Sequence, residues 1–199
     1  MTGTTMREGA RTRRDTERWT SRRFRHAAGA LALAAGLVLA APSSGHAQAA
    51  ASDVATVDGI IAALYDVISG PAGEARDWDR FLGLFIPEGA RLIPSGVNAQ
   101  GVAGYQIWTP QEYVERAGAS LEQNGFFERE IGRASDTFGN VVHVFSAYDS
   151  KRTAQDPEPF ARGINSIQLF HDGSRYWIVS IFWNAERPGL TIPARYLNR

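Results

Sequence analysis

Residues 162–184, RGINSIQLFHDGSRYWIVSIFWN, decide the fold. They read as two long strands joined by a tight turn at Asp172-Gly173, because Gly accepts the positive φ that a two-residue hairpin needs. With those two residues at the centre of the turn, Asn165 faces Ser180 and the side chains alternate between two faces. One face carries Ile164, Ser166, Gln168, Trp177, Val179, Ile181 and Trp183. The other carries Asn165, Ile167, Leu169, Tyr176, Ile178, Ser180, Phe182 and Asn184. Both are mainly apolar, so the hairpin predicts a sheet covered on both sides.

Working backwards, residues 126–134 and 141–149 also alternate with period two and predict strands around a turn at 136–140. A polar loop with Pro157 and Pro159 separates them from the hairpin. Upstream the period becomes helical. Val54, Val57, Ile61, Leu64 and Ile68 make one stripe behind a cap at Ser52 or Asp53, ended by Gly70-Pro71. Asp77 caps a shorter helix that presents Trp78, Phe81, Leu82 and Phe85. Thr109-Pro110-Gln111-Glu112 is a capping box with Pro at the first helical position. It opens a helix that presents Tyr113, Val114, Ala117 and Leu121 and stops at Asn124-Gly125. Short extended pieces are expected at 90–93 and 105–108, with a loop between. Three helices beside four long antiparallel strands give the α+β class.

The chain has 199 residues, no cysteine and no net charge, and the balance hides an asymmetry. Residues 1–49 hold eight arginines against three acidic residues; the remainder holds thirteen basic against eighteen acidic, a net charge of −5. That acidity argues against nucleic acid as a partner, since phosphate binding needs a clustered basic surface. The absence of cysteine excludes disulfides, thiol nucleophiles and cysteine metal sites. The N-terminus runs from a basic segment through an apolar stretch at 27–41 to Ala47-Gln48-Ala49, the order of a secretory signal. The apolar stretch is shorter than the ~20 residues that span a bilayer. Residues 1–49 are therefore expected to be a cleaved signal peptide, residues 50–199 one exported domain, periplasmic or secreted. Ser21-Arg22-Arg23-Phe24 is a partial twin-arginine pattern and leaves the export route open.

Two stretches carry a family resemblance. Residues 77–85, DWDRFLGLF, followed by a strand at 89–93, and residues 172–180, DGSRYWIVS, resemble segments of the nuclear transport factor 2-like superfamily. Its branches include SnoaL-like polyketide cyclases and ketosteroid isomerases. The resemblance covers residues 53–186, and Tyr176 stands where the family usually has Trp. It implies a cystatin-like α+β cone, with three N-terminal helices packed on a strongly curved, mainly antiparallel sheet. It also implies a concave pocket that receives Asn165, Tyr176, Ser180, Phe182 and Asn184; Tyr105 and Trp108, by their place just before the capped helix, are expected to close its mouth. The opposite face, Trp177, Val179, Ile181 and Trp183, is then convex and expected to form a homodimer. One such scaffold serves enzymes, binding proteins and assembly modules alike, so the resemblance speaks to fold rather than function.

For chemistry, His143 is the best single residue, mid-strand among apolar neighbours and able to shuttle protons. Glu128, Glu130 or Asp149 could partner it, giving an isomerase, dehydratase or cyclase. The plainer reading makes His143 a packed histidine and Glu128-Arg129-Glu130 a solvated strand edge. A carboxylate base with a Tyr-plus-Asp oxyanion hole cannot be placed, because Tyr148 and Asp149 are adjacent and point to opposite faces. No metal-ligand spacing or phosphate loop is visible, and no cofactor is expected. The leading expectation is a domain that binds a small, largely apolar molecule, with no reaction assigned. The alternatives are an enzyme using His143 and a non-catalytic dimeric interaction module.

Overall fold

The computed structural model describes residues 49–197. The stretch read as an export signal lies outside the described residues, apart from its last alanine. In chain order the elements are α1 (Ala51–Val54), α2 (Val57–Ile68), α3 (Trp78–Leu82), β1 (Arg91–Val97), β2 (Ala103–Tyr105), α4 (Pro110–Asn124), β3 (Phe127–Phe138), β4 (Val141–Lys151), β5 (Ala161–His171) and β6 (Tyr176–Ala185), followed by a 3-10 turn at Ala194–Tyr196. The strands form one curved sheet in the order β2-β1-β6-β5-β4-β3. β1 pairs with β6 in parallel, and Phe85 makes a parallel bridge to Ile178; the other strand-to-strand pairings are antiparallel. This is the expected α+β class, with helices gathered on the concave side of the sheet.

The first expected helix is two. Thr56 takes an extended conformation, and its Oγ1 accepts the Gly59 N–H at 2.9 Å, so α2 starts afresh there. The stripe then buries Ile60, Ile61, Leu64 and Ile68 against Val144, Ile167, Leu169 and Ile178 of the sheet. Each such side chain contributes about 1.5–3 kcal/mol when fully buried. Asp77 caps α3 through the Arg80 N–H, and the Thr109–Glu112 box closes the start of α4 from both sides. Arg76, buried between these elements, donates to the carbonyls of Ile68, Gly70 and Leu121 and so ties the ends of α2 and α4 together. Cationic donors suit helix C-termini, where unpaired carbonyls gather. The segment expected as a loop at 95–104 is instead the β1–β2 hairpin.

Two bulges reset the expected faces. The 172–173 turn is wider than two residues. His171 pairs with Tyr176, and the Asp172 carboxylate accepts the Ser174 and Arg175 N–H groups and the Trp177 indole N–H. Those donors, the indole first, hold that carboxyl well below the usual range. Further along, Leu169 pairs with Ile178 but Gln168 pairs with Ser180, leaving Val179 as an extra residue. A bulge moves every later side chain to the other face. Tyr176 and Ile178 are concave as expected. Ile181 and Trp183 turn concave as well, while Ser180, Phe182 and Asn184 become convex. The expected four-residue convex set of Trp177, Val179, Ile181 and Trp183 is therefore not one face. A second bulge at Ile131 bends β3 between Glu130 and Gly132.

The C-terminal tail covers part of the convex side. Tyr196 packs its ring 4.9 Å from that of Phe145, and the backbone of Tyr196 and Leu197 lies against Gly132, where a Cβ would collide with it. Phe170, at 40% exposure, and Phe182, at 47%, stay open on the same side over β5 and β6.

Candidate functional site

A cavity of about 190 Å³ lies between the helices and the concave side of the sheet. α2 contributes Leu64 and Ile68, α3 contributes Phe81, and α4 contributes Tyr113 and Leu121. The sheet contributes Leu92, Tyr148, Ile181 and Trp183, together with two polar groups, Glu128 and Asn165, and Phe126 joins them from just before β3. Tyr113 stacks on Phe81 at 5.4 Å and meets Trp183 edge-on at 6.5 Å. The cavity is thus mainly aromatic and aliphatic with one ionisable carboxyl, the composition of a small-molecule site. An apolar cavity of ~150 Å³ accepts benzene, so this one suits a single ring and a head group.

Glu128 is positioned by the regular part of β3, opposite Ser150 on β4. Ser150 Oγ donates to its Oε2 at 2.7 Å, and Asn165 Nδ2 approaches Oε1 at 3.4 Å. Burial pushes the carboxyl up to about 7, and the negative charge of Asp149 adds to that; the two hydrogen bonds oppose it. Asn165 also donates to the Tyr65 hydroxyl at 3.1 Å. Tyr65 bonds Ser146 Oγ at 2.7 Å, and Ser146 donates to Glu130 Oε1 at 2.6 Å. Glu130 is paired with Arg133, which also meets Asp58 on α2. A polar chain therefore runs from the cavity carboxyl to a groove of about 700 Å³ between α2 and β3, and Glu128 borders both spaces. Burial first, then the nearby Glu128, raises the phenols of Tyr65, Tyr113 and Tyr148. All three stay protonated and able to donate.

Tyr148 is 5% exposed, and no described group bonds its hydroxyl. Its ring lies over its cross-strand partner Gly163. A Cβ on Gly163 would sit 2.6 Å from that hydroxyl and would also strike the Asn184 carbonyl. Glycine is required here by the close approach of the ring, not by backbone conformation.

Of the residues expected from the sequence, Asn165 lines the cavity. Trp108 stands behind its wall, 6.4 Å from Trp183 and 6.5 Å from Tyr113 by ring centre. Tyr105 is 68% exposed on the edge strand β2. Tyr176 is concave but sits at the turn end of the sheet, its ring 4.6 Å from that of His171. Ser180 and Phe182 are convex, and so is Asn184, whose Oδ1 accepts from Arg187. His143 bonds Ser166 Oγ at 2.9 Å and packs against Phe145 on the convex side. Glu128 and Glu130 stand on the other face, and Asp149 is held bidentately by Arg129. The expected dyad of His143 with one of these carboxylates is therefore not assembled. Among the described residues no three His, Asp or Glu side chains are grouped to hold a metal ion.

Tyr65 and Ser146 are not expected from the sequence; Glu128 is expected only as a partner of His143 or a solvated edge, and Tyr148 is set aside because it adjoins Asp149. A signal for two of them was present: pairing residues 126–134 against 141–149 sets Glu128 and Glu130 near Tyr148 and Ser150, which are odd neighbours for a solvated edge.

No family model matches the chain, and no curated protein matches it. Similar solved structures include a protein of unknown function with a cystatin-like fold from Nostoc punctiforme, 9% identical over 63% of this chain and 84% of that one, TM-score 0.46. An NTF2-like protein of unknown function from Shewanella baltica is 12% identical over 66% of this chain and 98% of that one, TM-score 0.38. Another NTF2-like protein of unknown function, from Methylobacillus flagellatus, is 14% identical over 66% and 95%, TM-score 0.39.

Proposed function

We propose that this chain is an exported domain of the nuclear transport factor 2-like, SnoaL-like type that binds a small molecule with an apolar body between its helices and sheet. One observation carries this reading: a cavity walled by Phe81, Tyr113, Phe126 and Trp183 that contains a single carboxyl, Glu128, and the bonding groups of Asn165 and Tyr148. Apolar walls supply binding energy and the few polar groups supply orientation. The test is native mass spectrometry of the protein purified gently from its own compartment. A bound small mass is expected, and Ile181→Trp, which fills the cavity, should lose it. A ligand that survives this substitution would place binding elsewhere.

A second reading, an isomerase, dehydratase or cyclase, gains from the acid–base character of Glu128, whose carboxyl at about 7 suits proton transfer near neutral pH. In that reading Glu128→Gln abolishes turnover. His143→Ala separates the catalytic from the packing role of the histidine on the far face.

A further inference from the structure

The cavity's contents point to the chemical class of its occupant. Building on the small-molecule reading, we propose that the ligand is a small organic cation, an amine or alkylammonium whose charged head pairs with Glu128 and lies against the aromatic walls.

The first support is the set of groups around the carboxyl. Glu128 receives hydrogen bonds only from neutral donors among the described residues, Ser150 and Asn165. The titratable groups that face it are Tyr65 from α2, Tyr113 from α4, Tyr148 from β4 and, along β3, Glu130. Asp149 acts on it through the sheet. None of these is positive. The nearby cations are already committed: Arg129 to Asp149, Arg133 to Glu130 and Asp58, and Arg76 to backbone carbonyls. A buried carboxylate needs a positive partner or it takes up a proton. Here the protein supplies no such partner.

The second support is the lining. Five aromatic side chains border the same space: Phe81, Tyr113, Phe126, Tyr148 and Trp183. Aromatic faces attract a cation, more strongly once it is desolvated. An anion would meet the carboxylate and the negative faces of the rings together, so anionic ligands are disfavoured. A neutral ligand would use the rings but leave the carboxylate uncompensated. A one-ring amine matches the 190 Å³ available.

The experiment is isothermal titration of the full chain with three single-ring probes of similar size: benzylamine, benzyl alcohol and benzoate. At pH 8 benzylamine should bind about tenfold or more tighter than benzyl alcohol, as expected for a charge-assisted contact beside aromatic faces, and benzoate should bind most weakly. Lowering the pH to 5.5, which protonates Glu128, should shrink the advantage of benzylamine. Glu128→Gln should erase it, and any remaining binding of benzyl alcohol shows that the variant keeps its cavity. Benzyl alcohol binding as tightly as benzylamine, or a preference unchanged in Glu128→Gln, overturns the cation proposal and leaves the small-molecule reading standing. No binding of any of the three overturns both.

Discussion

Glu128 is the residue on which the cavity's chemistry turns, because its proton is the one that the fold makes expensive to lose. In an unfolded chain a glutamate titrates near ~4.3; folded, this one is raised from 4.5 to about 7 by burial. Between those pH values the folded state holds a proton that the unfolded state has released. Its effect on stability is therefore absent below about pH 4, grows more unfavourable as pH rises from there to about 7, and levels off above that. By pH 8 the cost is on the order of 3 kcal/mol. Glu128→Gln should be more stable than wild type by roughly that amount at pH 8, and within ~1 kcal/mol of it at pH 5, in urea unfolding. A pH-independent difference would mean that the carboxyl is not desolvated. Gly163 gives a second residue-scale expectation. Gly163→Ala forces a methyl against the Tyr148 hydroxyl and the Asn184 carbonyl, which should cost about 1–3 kcal/mol by overpacking. The double variant Gly163→Ala, Tyr148→Phe should recover part of that loss, and no recovery would assign the cost to the Asn184 contact alone.

Among the elements, β6 carries the most consequence per residue. The extra residue Val179 divides a strand whose first half shows Tyr176 and Ile178 to the core and whose second half shows Ile181 and Trp183. Deleting Val179 would restore unbroken alternation and keep Ile181 and Trp183 on the core side, because the residue removed is the unpaired one. The expected outcome is indole emission no more accessible to iodide than in wild type; a marked rise in quenching would show that the second half of the strand had turned over. α4 is the thinnest wall. Gly118 is its buried residue, pressed against Trp78, while Glu122 accepts the Trp78 indole N–H at 2.8 Å. Such a helix leans on its cap, so Thr109→Ala should cost about 1 kcal/mol. It should also raise amide exchange in α4 before that in β4 or β5, since weakly packed elements open first.

For the whole molecule, packing leaves part of the convex side uncovered. The tail screens β3 and β4, while Phe170 and Phe182 remain accessible over β5 and β6. Exposed apolar patches of this kind commonly mark interfaces. The homodimer proposed from the sequence would thus rest on Phe170, Trp177 and Phe182 instead of Ile181 and Trp183. A dimeric mass in analytical ultracentrifugation at micromolar concentration, reduced to monomer by Phe182→Lys, is the expected result; a wild-type monomer sinks it. Export is tested by the N-terminus of the protein recovered from its native host, expected near Ala50. A chain still carrying residues 1–49 in the cytoplasm would exclude cleavage.

Local signals were enough for α3, for α4 and for the existence of the long strands, but not for the break at Thr56 that divides the first expected helix. The caps at Asp77 and Thr109, the stop at Asn124-Gly125 and the period-two runs depend on contacts within a few residues, and those contacts are written in the sequence. The α+β class follows from their order. The face that each residue shows is another matter. One bulge at Val179 and one at Ile131 shift the parity of everything beyond them, and no residue type there announces the extra position. The same parity shift brought Trp183 to the cavity and took Phe182 away from it. Glu128 looked like a solvated strand edge because its neighbours in sequence are charged. Its burial is decided by Ser150, Asn165 and Tyr65, which lie 22, 37 and 63 positions away and are joined to it only when α2 and three strands close around one space.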